Sequence, residues 1–253
     1  GQMKGIPNNS VAIVQPIMIP GGGTESVTAW TAEALKRKYK VTLISFSQVD
    51  AATLNRYYGT ELRDGEISIV QPPLLPGLNR TRRLSLLKDH LMMRYCKSVA
   101  QNFDLFIASR AMDFGRPGMQ FIQIGPDSNY VQVLRGDASL SNCYLFLKRL
   151  IVRVCEMVSH YSELATKKNV YLADSKATGE LLEQVFGNFD YKVIYPPVTS
   201  PASTTPWNMR EDGFLCIARI EPYKRIDRII QILKLVRAQG FETQLKIIGR
   251  VDD

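Results

Sequence analysis

The sequence has few histidines and no cysteine pattern typical of a metal site. It contains two histidines, His90 and His160, and four cysteines without CxxC spacing. Structural zinc sites use cysteines and histidines at short spacings, which this sequence does not offer. We therefore interpret the cysteines as buried thiols: Cys96, Cys143, Cys155 and Cys216.

Long uncharged apolar segments are also missing. The most hydrophobic stretch runs from Cys143 to Val158 and is interrupted by Lys148, Arg149, Arg153 and Glu156. A membrane-spanning helix needs about 20 mostly apolar residues. Residues 1–18 carry Pro7 and two asparagines where the apolar centre of a signal peptide would lie. The sequence therefore predicts a cytoplasmic protein without a membrane span.

One arginine cluster is prominent in a chain whose net charge is +8. Arg80, Arg82 and Arg83 follow the proline-rich segment 71–77, which is typical of a loop. Either the cluster attracts anionic lipid head groups or a phosphorylated acceptor, or it is an ordinary solvated surface. Lipid binding would place the protein at the periphery of a membrane. No nucleic-acid partner is expected, since aromatic residues are not interleaved with the basic ones.

Short β-branched runs alternate with amphipathic helical stretches along the whole chain, which is typical of a parallel α/β sheet. The predicted strands are Val11–Val14, Val41–Phe46, Ile67–Val70, Leu105–Ala108, Phe121–Ile124, Val170–Ala173, Lys192–Tyr195, Phe214–Ala218 and Leu245–Ile248.

Two helical stretches show a clear apolar face, which we expect to pack on a sheet. The first follows Leu140, and its apolar positions are Leu147, Leu150, Ile151, Val154, Met157, Val158 and Tyr161. The second begins near Lys224 and ends at Gly240, with Ile226, Ile229, Ile230, Leu233 and Val236 on one side.

A linker is predicted at 196–206, where four prolines and five hydroxyl residues disfavour regular structure. We place an N-terminal domain at 1–196, the linker at 197–212 and a second domain at 213–253. The second domain would hold one strand–helix–strand unit, near the lower size limit for an independent domain. We therefore expect it to be incomplete, and to self-associate through its uncovered surfaces.

A glycine-rich segment follows the first predicted strand: Gly21, Gly22, Gly23 and Thr24. Glycines at a strand-to-helix turn let a ligand approach the backbone, and the N–H groups of the first helical turn favour an anion. Either a phosphate binds here, or the segment is a plain tight turn. The dinucleotide fingerprint is imperfect because Ser26 replaces its third glycine, and no acidic residue ends the second strand. NAD is thus disfavoured.

A second strand-to-helix turn carries two cations, Arg219 and Lys224. They flank a predicted helix N-terminus, whose dipole already favours negative charge. Together they would suit a diphosphate. The alternative is a pair of ordinary solvated cations.

This turn lies in the segment that resembles family 4 glycosyltransferases most specifically. The motif is Arg219-x-x-Pro222-x-Lys224, preceded by Phe214–Ala218 and followed by Asp227-x-x-Ile230. Two upstream segments, 171–178 and 193–198, are similar to the end of the N-terminal domain in that family and to its crossing between domains. The similarity is specific from about Val170 onward and topological before it.

The resemblance implies an α/β fold of the GT-B type, with a complete N-terminal Rossmann-like domain and the first strand–helix–strand of a second one. It implies transfer of a hexose, with retention, from a nucleotide-diphosphate sugar to a glycan or lipid-linked acceptor. Arg219 and Lys224 would contact the donor diphosphate, and Gly22 and Gly23 would line the opposite side of the cleft, beside phosphate or the transferred sugar. No cofactor or enzyme-bound metal is implied.

Two departures from the family pattern matter. The Glu-x7-Glu motif that contacts the donor sugar would lie beyond the last predicted strand, so the sequence stops before it. Where many relatives have a histidine near the donor sugar, this chain has Gly125 or Pro126. Asp127 either compensates, by accepting a hydrogen bond from a sugar hydroxyl, or belongs to an ordinary turn. The catalytic residue otherwise stays unassigned.

Three functions follow from these observations. We expect a glycosyltransferase whose 253 residues alone are inactive. The first alternative is a non-catalytic half-enzyme or binding subunit that needs a separate C-terminal chain. The second alternative, an NAD-dependent oxidoreductase or epimerase, lacks a supporting Tyr-x-x-x-Lys arrangement.

Overall fold

The computed structural model describes residues 9–19, 21–74, 78, 84–123, 142–186, 190–198 and 205–249; the side chains of 142–148, 185, 186 and 223 lie outside this description. The chain divides into two units, Gly1–Thr199 and Ser200–Asp253.

Nine strands and seven α-helices lie within the described residues. The strands are β1 (Ser10–Val14), β2 (Lys40–Ile44), β3 (Ile67–Val70), β4 (Leu105–Ala108), β5 (Met119–Ile122), β6 (Val170–Ala173), β7 (Tyr191–Val193), β8 (Phe214–Ile217) and β9 (Leu245–Ile248). The helices are α1 (Gly23–Leu35), α2 (Ala51–Tyr58), α3 (Ser85–Ser98), α4 (Asn142–Ser159), α5 (Glu163–Thr166), α6 (Lys176–Phe186) and α7 (Ile226–Ala238).

The first unit is built on a seven-stranded sheet in the order β3-β2-β1-β4-β5-β6-β7. Every neighbouring pair is parallel. β1 is buried along its whole length, because helices cover both faces of a parallel sheet and a central strand can then be apolar throughout.

Alternate residues of β1 point into two separate cores. Val11 and Ile13 belong to a core with residues of α1 and α2. Ala12 and Val14 belong to another, which contains Phe106 and residues of α3. Helices α1 and α2 thus cover one face near the centre of the sheet. Helix α3 covers the other face, and α4 packs against α3.

The second unit contains one parallel pair, β8 and β9, connected through α7. β8 is largely exposed, with Ile217 at 72%. On α7 three apolar residues, Ile230, Ile232 and Leu235, are exposed, and the others that the sequence pattern indicated are half-buried: Ile226, Ile229, Leu233 and Val236. This unit thus buries far less apolar surface than the first.

The predicted alternation of strands and helices is confirmed, and all nine predicted strands are present. Five strands have bounds that differ from the prediction. β1 and β2 each begin one residue earlier, and β8 ends at Ile217 rather than Ala218. β2 ends at Ile44 rather than Phe46, because the Phe46 amide bonds to the Pro16 carbonyl instead of a strand partner. β5 begins earlier, at Met119, and β7 ends at Val193.

The sequence prediction for α4 is wrong in one respect. Leu150, Ile151, Val154 and Met157 were expected to face a sheet, but all four are exposed. The helix packs against α3 instead, and the side that it buries carries Cys155 and Ser159. A helix that packs on one other helix buries only a narrow strip of its surface.

The cysteine prediction holds for Cys96 and Cys155, which are buried free thiols. It is wrong for Cys216, which is only partly buried because β8 has a single neighbouring strand. The side chain of Cys143 lies outside the described part, as do residues 199–204 of the predicted linker.

Candidate functional site

The turn between β1 and α1 holds the glycine-rich segment. Gly21 has φ of 104°, a left-handed conformation that favours glycine. Its amide donates to the Tyr58 hydroxyl at 2.9 Å, which ties the turn to the end of α2. Gly22 is the N-cap residue of α1 and supplies no side-chain cap. The turn is held by α2, and the helix start is left without a capping hydroxyl or amide.

Thr24 connects the same turn to the neighbouring part of the sheet. Its hydroxyl donates to the Gln123 side-chain oxygen at 2.7 Å. Gln123 directly follows β5, so the start of α1 lies at the carboxyl edge of the sheet. Ligands of open α/β sheets bind at this edge.

Glu25 lies over the N-terminus of α1. A Cβ atom placed on Gly22 would be 2.0 Å from the Glu25 Oε2 atom, so the carboxylate lies directly against the Gly22 backbone. A negative charge here is stabilised by the helix dipole. A substrate phosphate that binds the first-turn N–H groups would therefore have to displace Glu25.

A polar cluster that no sequence pattern predicted lies where the strand order reverses. β1 neighbours both β2 and β4, and such a switch point is where α/β sheets bind ligands. Gln15 and Ser109 directly follow β1 and β4; both are buried, and the Ser109 hydroxyl donates to the Gln15 side-chain oxygen. The sequence pattern that could have predicted this cluster is a polar residue directly after each of two buried strands, Gln15 after β1 and Ser109 after β4.

Next to them lies an ion pair that sequence spacing does not indicate. The Arg110 Nη1 atom donates to Asp89 Oδ1 at 2.9 Å and to Oδ2 at 2.7 Å. Burial raises the pKa of the Asp89 carboxyl above its usual value, and the nearby Arg110 charge offsets only part of this shift. Arg110 follows β4 and Asp89 lies on α3, so the pair fixes α3 to the carboxyl edge of the sheet.

The turn between β8 and α7 holds the two predicted cations. Arg219 Nη1 lies 3.2 Å from Glu221 Oε1, and both Arg219 and Lys224 are exposed. A single 3-10 turn, Pro222–Lys224, is followed by Arg225 with φ of 50° and then by α7. Like α1, α7 has no side-chain cap at its N-terminus. The turn thus combines two cations with a helix N-terminus whose N-cap residue, Arg225, supplies no side-chain cap.

Gly249 lies next to this turn because it follows β9, the partner of β8. A Cβ atom at Gly249 would be 1.8 Å from the Ala218 carbonyl oxygen, which is backbone and cannot swing away. Glycine is therefore required where the chain leaves β9.

Several predicted features lie outside the described residues or away from these turns. Arg80, Arg82, Arg83 and Asp127 belong to segments that the structure does not describe. Within the described ranges, no group of histidine, cysteine or acidic residues could hold a metal, and no helix could cross a membrane.

A groove of 580 Å³ lies beside α1 in the first unit, lined by Val27, Trp30, Phe121 and Leu172 among others. It includes none of Gly21–Thr24, so it is a separate apolar feature and not the predicted site.

Comparisons with known proteins agree on architecture. No protein-family model matches the chain, and no curated protein does. A structure of WaaG, a glycosyltransferase involved in lipopolysaccharide biosynthesis, is similar over 96% of this chain with a TM-score of 0.59 and 14% identity. The glycotransferase of kitacinnamycin is similar over 98% of this chain and 67% of its own, with a TM-score of 0.50 and 15% identity.

At these identities the likeness shows the fold alone: an α/β arrangement with a parallel Rossmann-like sheet, of the GT-B type. The predicted fold class is confirmed. The chain spans 64% of the length of the WaaG structure.

Proposed function

We propose that this protein is a retaining glycosyltransferase of family 4, which transfers a hexose from a nucleotide-diphosphate sugar to an acceptor. The fold is compatible with this chemistry, but one fold hosts many functions. The observation that carries the proposal is the β8–α7 turn, where Arg219 and Lys224 accompany the uncapped N-terminus of a helix.

In this proposal the turn neutralises the nucleoside diphosphate as it leaves. Arginine offers two parallel N–H donors to phosphate oxygens, and lysine acts as a compact charge. Such charges stabilise a transition state best when they are already in place. Arg219 is held by Glu221 at 3.2 Å, so donor binding would exchange one anionic partner for another. These cations supply the positive charge, so the proposed reaction needs no enzyme-bound metal or cofactor.

We assign the acceptor, a glycan or a lipid-linked sugar, to the first unit. Gly21, Gly22, Gly23 and Thr24 would lie beside it at the carboxyl edge of the sheet, where Thr24 is fixed by Gln123. Arg80, Arg82 and Arg83 would attract a phosphorylated or lipid acceptor. Asp127 is our candidate for accepting a hydrogen bond from a sugar hydroxyl.

Calorimetric titration with nucleoside diphosphates tests the donor site. Replacing Arg219 or Lys224 by alanine should weaken binding about ten- to a hundred-fold, since a charge-assisted hydrogen bond contributes about 1.5–3 kcal/mol. Arg237→Ala and Lys234→Ala, exposed cations of α7 outside the turn, are the matched controls and should bind like the parent. Equal affinity for all four variants would reject the assignment.

A second candidate is a binding subunit completed by a separate chain. The observation in its favour is the apolar surface of the second unit, where Phe214, Leu215 and Ile217 are exposed. The reading frame after Asp253 distinguishes the two candidates. A Glu-x7-Glu segment in the same frame supports the single-chain transferase, whereas a stop codon supports the two-chain assembly.

A further inference from the structure

A third cation lies in the β8–α7 turn, directly after Lys224. Arg225 is exposed, and its backbone has φ of 50° and ψ of 40°, a left-handed conformation that crowds any residue with a Cβ atom. Two other non-glycine residues in the described part of the chain have positive φ, Asn9 and His160, and both belong to types that are enriched there. Arginine is not such a type, so the local conformation does not explain the residue at position 225.

The Arg225 side chain already holds an anion. Its Nε atom donates to Asp227 Oδ1 at 3.2 Å, and its Nη2 atom donates to Asp227 Oδ2 at 3.1 Å. Two N–H groups of one guanidinium thus contact both oxygens of a carboxylate, which is also how arginine binds two oxygens of a phosphate. The side chains are 49% and 56% exposed, so a dissolved ligand can reach the pair.

The turn carries more positive charge than its own carboxylates compensate. Residues 219–228 contain four cations and two carboxylates, which leaves an excess of two positive charges. Each carboxylate contacts one arginine, since Glu221 lies 3.2 Å from Arg219 and Asp227 contacts Arg225. An incoming anion would therefore compete with Asp227 for the Arg225 guanidinium, and the excess charge of the turn would favour the anion.

We propose that Arg225 binds the terminal phosphate of the nucleoside diphosphate that leaves during transfer, and that this phosphate replaces Asp227 on the guanidinium. This inference rests on the proposed function. It adds to Arg219 and Lys224 a residue that distinguishes the leaving group from the intact donor.

The distinction follows from the charge that the reaction creates. In a nucleotide sugar each phosphate carries one negative charge. During transfer the bond between the sugar carbon and the phosphate oxygen breaks, and its electron pair stays on that oxygen. The acceptor hydroxyl forms the new bond to the sugar carbon, and its proton goes to solvent at a pH above the second pKa of phosphate, about 6. The terminal phosphate then carries two negative charges.

This change in charge makes the exchange at Arg225 selective. A singly charged phosphate has the same charge as the Asp227 carboxylate, which the chain already holds beside Arg225, so the intact donor gains little by replacing it. A doubly charged phosphate attracts the guanidinium more strongly. An interaction that strengthens as the bond breaks accelerates the chemical step, whereas one that is equal before and after only tightens donor binding.

Two small ligands without base or sugar isolate this contact. At about pH 8 methyl diphosphate has a doubly charged terminal phosphate, whereas dimethyl diphosphate, methylated on both phosphates, has only singly charged ones. Titrations of the isotope-labelled chain, followed through its amide NMR signals, should show tighter binding of methyl diphosphate. Arg225→Asn should weaken methyl diphosphate about five- to tenfold, because a charge-assisted hydrogen bond is lost, and dimethyl diphosphate by less than about twofold. Asp227→Asn removes the competing carboxylate and should reduce the preference for methyl diphosphate.

The chosen substitutions keep the backbone of the turn. Asparagine and glycine both tolerate a left-handed conformation, so Arg225→Asn and Arg225→Gly should fold like the parent and bind alike. Arg237→Asn removes an exposed cation from the last turn of α7 and should leave both affinities unchanged. Equal weakening of both ligands by Arg225→Asn, or none, overturns the inference. If Arg219→Ala and Lys224→Ala nevertheless weaken binding, the donor site stands without Arg225, whereas a parent chain that binds neither ligand contradicts both.

Discussion

The turn from β1 to α1 and the turn from β8 to α7 share a layout but differ in what holds them in place. The first is fixed by Tyr58 and Gln123 from other elements of a seven-stranded unit, and its helix N-terminus is covered by the Glu25 carboxylate. The second stands on two exposed strands and carries cations. The first turn is thus held in place by its surroundings, whereas the second carries exposed cations on a small unit.

The largest expected difference between the units is in thiol reactivity. Burial raises the pKa of Cys96 from 9.0 to about 12, which lowers its thiolate fraction about a thousandfold at neutral pH. Cys216, on β8, is partly exposed. Brief maleimide labelling followed by peptide mapping should therefore modify Cys216 and leave Cys96 unmodified until urea is added. Comparable labelling of the Cys96 and Cys216 thiols would contradict the difference in packing between the two units.

The next largest effect concerns buried and exposed ion pairs. Asp113, which is 1% exposed, accepts from Lys97 Nζ at 2.7 Å and from the Ser162 amide at 2.8 Å. Asp113→Ala would leave a largely buried cation uncompensated, so we expect a loss of roughly 3 kcal/mol in the free energy of unfolding. Glu211→Ala breaks the exposed Lys246 pair of the second unit and should change nothing measurable.

The chain offers a direct probe for this comparison. Trp30 lies in the first unit and Trp207 in the second, and the sequence has no other tryptophan. In a Trp207→Phe background, urea unfolding followed by fluorescence reports on the first unit alone. An Asp113→Ala midpoint equal to that of the parent would mean that the Lys97 network contributes little.

The smallest expected effect is the difference in stability between alanine substitutions at Gly22, in the β1–α1 turn, and at Gly249, beside the β8–α7 turn. Alanine at Gly249 would meet the Ala218 carbonyl, which is backbone, whereas alanine at Gly22 would meet the movable end of Glu25. We expect Gly249→Ala to cost about 1–3 kcal/mol locally, and Gly22→Ala to change stability by less than about 1 kcal/mol. The local cost of Gly249→Ala is measured by hydrogen exchange of the Ala218 amide, which bonds to the Ile248 carbonyl. Unchanged exchange would show that the end of β9 can adapt.

Sequence periodicity predicted the fold well because parallel strands are buried on both faces. Val11–Val14 is a continuous apolar run, which is typical of a central strand in a parallel sheet. The exposed apolar side of α4, with Leu150, Val154 and Met157, shows the limit of such reasoning. A spacing of three and four residues reveals that a helix has an apolar side, but it does not say whether that side meets a sheet, another helix or something outside the chain.

The candidate site was only partly predictable. Gly21–Thr24 and Arg219–Lys224 are contiguous segments, so their placement at strand-to-helix turns follows from local sequence. The Gln15–Ser109 contact joins residues 94 positions apart, and the Arg110–Asp89 pair joins two separate elements. Such contacts depend on strand order, which no local pattern specifies. The position of Glu25 over Gly22 depends on a side-chain rotamer.

The strand order also determines when the sheet can be completed during folding. On one side β1 pairs with β2 through Val11 and Val41, and on the other with β4 through Val11 and Leu105. Pairings between distant positions form slowly, because a long loop must close before any contact rewards it. On the ribosome, one edge of β1 stays open until β4 has emerged. Because such open edges are aggregation-prone, the apolar run at the centre of the sheet is the segment of the first unit that most needs protection in the nascent chain.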